Sequence, residues 1–257
     1  MSAVTVENLS MVYAQLPVLE RINLQVEAGT FCTIVGASGC GKSTFLRLLL
    51  AQEQPTGGHI SIDGQPLPPE PGPDRGIVFQ RYSVFPHLTV TENLIIAEEL
   101  RASPLTGRLF GASRREASRN VEATLKDIGL WPARDRYPAQ LSGGMQQRLA
   151  IAQALLMEPK VLLLDEPFGA LDPGIRADMH ALLLDLWRAR GMTVFMVTHD
   201  IQEAFRLGTR LLVFDKVRHD PHAPEAYGAT VTYDLMLSDD AAVPTHADDL
   251  ITRPPLN

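Results

Sequence analysis

The run Gly36, Ala37, Ser38, Gly39, Cys40, Gly41, Lys42, Ser43 sets a lysine and a hydroxyl at the end of a glycine-rich stretch, with Thr44 immediately after. Glycines let a backbone fold so that successive amide hydrogens point inward, and a helix starting there adds partial positive charge; together these cradle phosphates. Lys42 is placed to pair with outer phosphates and Ser43 to ligate magnesium, so the chemistry of this loop is that of a nucleoside triphosphate with Mg2+. An ordinary glycine-rich turn would need neither side chain. Farther along, the apolar run Val161, Leu162, Leu163, Leu164 ends in Asp165 and Glu166. Open α/β sheets bind ligands at the carboxyl ends of their strands. Asp165 is therefore the natural magnesium partner and Glu166 the carboxylate that polarises an attacking water, because phosphoryl transfer needs positioning and charge stabilisation more than covalent chemistry. The carboxylate pair alone would read as a surface turn; the loop upstream gives it meaning.

These residues need elements to hold them. Phe31 to Val35 is a short continuous apolar run before the loop, and Thr44 to Ala51 is helical, which makes a buried strand, a tight loop and a helix. Val161–Leu164 and Val194–Val197 repeat the buried-strand pattern on either side of the helical stretch Ile175–Arg190, as in a parallel sheet. Upstream, Val4, Val6, Leu9 and then Ile22, Leu24, Val26 alternate with polar residues, the mark of half-buried antiparallel strands. His59 to Ile62 with the Asp63–Gly64 turn adds one more strand, and Pro66 to Pro73 a loop. Between Leu88 and Leu141 the patterns are helical, with Val121, Leu125 and Ile128 on one face of Arg114–Ile128. One domain is expected over 3–237, with a helical insert at about 88–145 and a loosely ordered tail, rich in Pro, Asp and Thr, at 238–257. No internal repeat is visible.

Composition narrows the classes. The 257 residues suffice for a large core, and at 45% hydrophobic and 21% charged they are ordinary for a soluble globular protein. No apolar run approaches the ~20 residues that cross a bilayer, and the first ten residues lack a secretory pattern, so the cytoplasm is the expected compartment. The two cysteines, Cys32 and Cys40, fall beside or within the phosphate loop, a poor place for a crosslink, and read as free thiols. A formal net charge of −7 argues against nucleic acid as partner and suits docking on basic cytoplasmic loops of a membrane protein. His219, Asp220 and His222 could suggest a metal site, but two histidines among prolines read as a solvated surface loop.

Leu141, Ser142, Gly143, Gly144, Met145, Gln146, Gln147, Arg148 resemble the LSGGQ signature of ATP-binding cassette ATPases. A serine and two glycines at a helix start form a second anion site, although the same string is also a common cap and turn. In the resembled family this site binds the γ-phosphate held by the opposite subunit. The resemblance covers roughly residues 3 to 215 and implies an α/β P-loop NTPase core with a parallel sheet, an antiparallel β subdomain and a helical insert. It further implies an aromatic stacking on adenine at Tyr13, a magnesium-sensing glutamine at Gln80, a loop contacting the other subunit at Asp172, and a switch histidine at His199. Met145 stands in place of the signature's last glutamine, and Gln153 where the family often has arginine. The methionine, together with 74–80 and 85–90, resembles the branch importing nitrate, sulfonates and taurine. Asp215–Asp234 resembles a subgroup associated with urea carboxylase, whose suspected cargo is urea or guanidine.

The resemblance implies a homodimer of ATPase subunits that holds ATP and Mg2+ between them and sits peripherally at the cytoplasmic face of the inner (plasma) membrane, an integral membrane permease as its partner, and indirectly a solute-binding protein. Two other classes compete. A soluble cassette ATPase acting on DNA or ribosomes would want a second cassette or a long coiled coil, and about a hundred residues between loop and signature leave no room for one. A small-molecule phosphotransferase would use the same loop without a signature or a switch histidine. The Ser103–Gly111 stretch is expected to be an extra loop that tunes docking to the membrane partner.

Overall fold

The computed structural model describes residues 2–79, 84–103, 111–218, 222 and 226–237. Gln80, most of the Ser103–Gly111 stretch, His219 with Asp220, and the 238–257 tail lie outside the described residues.

Alternation in the amino-terminal segment folds as its period requires. Strands β1 (Val4–Tyr13), β2 (Leu16–Val26), β4 (Gly57–Ile62) and β5 (Gln65–Pro66) form an antiparallel sheet in the order β2-β1-β4-β5. Val4 lies opposite Val26 on one side and Ile62 on the other, and Val6 opposite Leu24 and Ile60, so a single apolar layer faces inward. All six of these side chains are buried.

The other sheet has six strands in the order β10-β9-β3-β8-β7-β6. Its members are β3 (Phe31–Gly36), β6 (Arg75–Val78), β7 (Val161–Asp165), β8 (Thr193–Val197), β9 (Arg210–Asp215) and β10 (Thr230–Met236). All neighbours pair in parallel except β10, which runs antiparallel along the edge beside β9. Strands β3, β7 and β8 are buried along their length, except for the half-buried Asp165 at the end of β7, because α1 (Lys42–Leu50) covers one face while α4 (Gly143–Leu156), α5 (Pro173–Arg190) and α6 (Ile201–Leu207) lie around the rest. One hydrophobic cluster runs from Val4, Leu9 and Ile22 through Phe45 to Ile34 and Phe195, so the two sheets share a core. Phe45 seats α1 there, its ring centroid 5.2 Å from that of Phe214 and 6.3 Å from that of Phe195.

Between β6 and β7 the chain leaves the sheet for α2 (Val90–Ala102), α3 (Gly111–Asp127), two short 3-10 turns and α4. Val90, Leu94, Val121, Leu125, Ile128 and Leu149 close a separate core. Helix α4 serves both regions: Leu149, Ala152 and Leu156 face the helices, and Ile151 and Leu155 face the sheet. Thr89 starts α2 with a reciprocal cap, taking the Glu92 amide hydrogen while the Glu92 carboxylate takes that of Thr89. No helix among the described residues is long and apolar enough to cross a membrane.

Strand β6 escapes an apolar-run reading because it is four residues long and opens on Arg75, a charge that is nonetheless buried. Its guanidinium bonds the Asp74 carboxylate at 3.2 Å and the Glu70 carbonyl at 3.2 Å. Strand β10 has no buried residue to betray it; Arg210 on β9 grips Asp234 with two bonds of 2.6 and 2.7 Å.

Candidate active site

Parallel pairing brings three strand ends level. Asp165 at the end of β7 lies opposite Val197 at the end of β8, which also pairs with Ile34 of β3, two residues before Gly36. The phosphate loop, the carboxylate pair and Thr198–His199 therefore open into one crevice at the carboxyl edge of the sheet. Gly36 begins the loop at φ 151°, and a Cβ there would stand 2.1 Å from the Phe214 carbonyl oxygen, so no other residue fits. Helix α1 begins at Lys42, two residues before the expected Thr44; its N-cap residue Gly41 has no side chain to cap it, so the first-turn amides are left to an anion. Lys42 is buried, and its ammonium donates to the carbonyls of Gly36 at 2.8 Å and Ala37 at 2.9 Å. The cation is thus held across the mouth of the loop by the loop's own backbone.

Ser43 Oγ donates to Asp165 Oδ1 at 3.0 Å. Burial raises the Asp165 carboxyl pKa from its ordinary value, opposed by the Ser43 bond and by the charges of Arg47 and Lys42, and reinforced by Glu166. A divalent cation would reverse that balance. Two hard oxygens side by side at the foot of a phosphate loop fit Mg2+, which takes a few protein oxygens and completes its shell with water and substrate phosphates.

Glu166 adopts φ 46°, left-handed backbone in a residue that is not glycine, which costs on the order of 1 kcal/mol and is found where surrounding structure enforces it. The enforcing contact is its own amide, which donates to the Val197 carbonyl at 3.0 Å. The bend aims the carboxylate away from the strand, with Oε2 3.4 Å from Nδ1 of the exposed His199. Val18, Ser38, Lys42, Ser43, Arg47 and Glu166 contribute to the lining of a cleft of about 270 Å³. Tyr13 stands beside it, partly exposed, its hydroxyl donating to Glu53, which also receives Arg47 at 2.9 Å. Burial, then the Glu53 bond, raises the Tyr13 pKa, with a Thr44 hydrogen bond and Arg47 pulling the other way. No motif singles out Arg47 or Glu53; their i, i+6 pairing across the end of α1 carries no sequence signal.

Ser142 and Gly143 are exposed at the start of α4, where Ser142 Oγ accepts the Met145 amide hydrogen at 3.4 Å. Asp172 occupies the corresponding place on α5, also exposed, and its carboxylate makes no capping bond. Gly144 is buried: a Cβ there would stand 2.4 Å from Ile175 Cγ2, so α4 and α5 meet through a missing side chain. Gly144→Ala should lower the melting temperature by an amount corresponding to ~1–3 kcal/mol of overpacking. Adding Ile175→Ala should recover part of the loss, and no recovery would contradict this contact. Gln153, in the position of the family arginine, donates to Asn93 backbone and side-chain oxygens at 3.0 and 3.1 Å, tying α4 to α2. Met145 packs against the helical core. Neither Ser142–Gly144 nor Asp172 is among the described residues lining the phosphate cleft.

Both cysteines are buried free thiols, with pKa raised chiefly by burial. Among the described residues no cluster of three or more His, Cys, Asp or Glu could hold a metal.

A family model described as ABC transporter matches residues 19–169. The nitrate import ATP-binding protein NrtD of Synechocystis sp. is 45% identical over 195 residues, 76% of this chain and 70% of that protein. The bicarbonate transport ATP-binding protein CmpD of the same organism is 43% identical over 223 residues, 85% of this chain and 75% of that one. The dimeric post-hydrolysis structure of the ATP-binding cassette MJ0796 bound to ADP and Pi superposes with a TM-score of 0.73 at 31% identity, covering 91% of this chain and 99% of that chain. The chain belongs to the ABC transporter family, as its ATP-binding subunit and a Mg2+-dependent ATPase.

Proposed function

We propose that two copies of this chain close head to tail on two ATP molecules and that the closure drives a membrane permease to import a small anion. The observation that carries the dimer is the division of the site. The Ser142–Gly144 turn, exposed at Ser142 and Gly143, and the Asp172 carboxylate, which makes no capping bond, lie outside the cleft that holds Lys42, Ser43 and Glu166. A second copy brings its own turn over the cleft of the first. Gly36–Gly41 and Lys42 cradle the phosphates, Thr44 adds the next amide of the helix start, and the Tyr13 ring offers a stacking face to adenine. Ser43 and Asp165 would hold Mg2+, which would supply positive charge against the phosphates; the family resemblance adds Gln80, which lies outside the described residues, to that set. Glu166 takes a hydrogen bond from a water in line with the γ-phosphorus; as the water oxygen bonds phosphorus, the bond to the β–γ bridging oxygen breaks, giving ADP and Pi. His199, adjacent to Glu166, donates to the departing γ-phosphoryl oxygens.

The chain works at the cytoplasmic face of the membrane, on a permease served by a solute-binding protein. Relatives named for nitrate and for bicarbonate import are similar to nearly the same degree, which supports a small oxyanion and leaves which one to the membrane partner. The test is ATPase activity of the chain reconstituted with its permease and binding protein in proteoliposomes, with nitrate, bicarbonate, taurine, urea and guanidinium offered in turn. Stimulation by one of the anions is expected; stimulation by urea or guanidinium alone would replace the oxyanion reading with the nitrogen-compound one.

A further inference from the structure

Asp172, at the N-cap position of α5, and Arg176 and His180 within it recur every fourth residue and so share one face. That face meets the turn holding His199. Arg176 Nη1 reaches Asp200 Oδ2 at 3.4 Å, and its Nη2 donates to the carbonyl of Leu171, the residue before Asp172, at 3.2 Å. One turn on, His180 Nε2 donates to Glu203 Oε1 at 2.7 Å, and Glu203 Oε2 accepts the Thr198 hydroxyl at 2.6 Å. Thr198 Oγ1 in turn accepts the Asp200 amide at 3.1 Å, closing the turn around His199, while Asp200 Oδ1 caps Glu203 at 3.1 Å. Two bridges therefore join the loop of Asp172 to both neighbours of His199.

The bridge is polar and deep. Thr198, His180 and Glu203 are buried, and His180 Nδ1 and Arg176 Nε are buried with no hydrogen-bond partner among the described residues. Well-packed apolar side chains would hold two helices together at least as firmly, without leaving donors or acceptors unpaired. What a network of directed bonds adds is orientation.

We infer that the Arg176–Asp200 and His180–Glu203–Thr198 bridges fix the His199 turn relative to the Asp172 loop, so that subunit contact at Asp172 sets the position of His199 over the γ-phosphate. Thr198, Glu203 and Arg176 are then positioning residues for hydrolysis, touching neither nucleotide nor metal. The inference rests on the proposed roles of Asp172 and His199.

The informative pair is Thr198→Val, which keeps the shape and removes the hydroxyl, and Thr198→Ser, which keeps the hydroxyl. With full-length protein, kcat, KM for ATP and melting temperature are compared with those of His199→Ala. Thr198→Val should lower kcat ~10- to 100-fold, the scale of a misplaced catalytic group, with KM little changed. Thr198→Ser should restore it, and adding Arg176→Ala to Thr198→Val should cost less than the two separate losses combined. A Thr198→Val enzyme with wild-type kcat, or a loss that serine does not restore, would overturn the inference while the His199 role stood. Wild-type hydrolysis by His199→Ala would instead remove the role on which it rests.

Discussion

Glu166→Gln is expected to lower kcat roughly 10²- to 10³-fold, within the range of a lost general base, while ATP still binds and the dimer stays closed. The amide is nearly isosteric, so it can keep the strained turn at φ 46° and the amide bond to Val197, and the fold around it should be unchanged. What disappears is the anionic acceptor beside His199, which in the proposed mechanism takes a hydrogen bond from the attacking water. Single-turnover hydrolysis together with nucleotide titration separates the two effects. A variant that hydrolyses at the wild-type rate would take the catalytic role from Glu166; one that no longer binds ATP would show that the carboxylate holds the cleft together.

Lys42→Ala should weaken ATP binding ~10- to 150-fold, the equivalent of 1.5–3 kcal/mol for charge-assisted hydrogen bonds. The ammonium donates to the carbonyls of Gly36 and Ala37, so its removal takes away the strut that spans the loop together with the proposed phosphate partner. Arginine should not rescue it, because a planar fork cannot replace a compact charge at a buried position. Titration with a fluorescent ATP analogue measures the change, and an unaltered Kd would mean that the backbone cradle alone carries the binding.

What could be read from the sequence follows where local pattern and tertiary role coincide. The strands β3, β7 and β8 read as largely apolar runs because both their faces are covered; the phosphate loop follows β3, and Asp165 closes β7 with Glu166 directly after it. Strand β10 and buried Arg75 were opaque because their stabilising partners, Arg210 and the Asp74–Glu70 segment, come from elsewhere in the fold. Tyr13 was legible only by resemblance, and its hydroxyl bond to Glu53 by nothing in the sequence. The His180–Glu203–Thr198 bridge has the same character: the spacing of Asp172, Arg176 and His180 shows one helical face, but the fold alone supplies what that face meets.

The division of the site between two copies is tested most directly by ATP hydrolysis of the purified chain across a concentration series, with Glu166→Gln as blank and mass measured at each point. The rate per subunit should climb with concentration as monomer gives way to dimer, and vanish in the blank. A rate per subunit that stays constant while the mass remains that of one chain would mean a complete site within a single subunit, and would contradict the shared site.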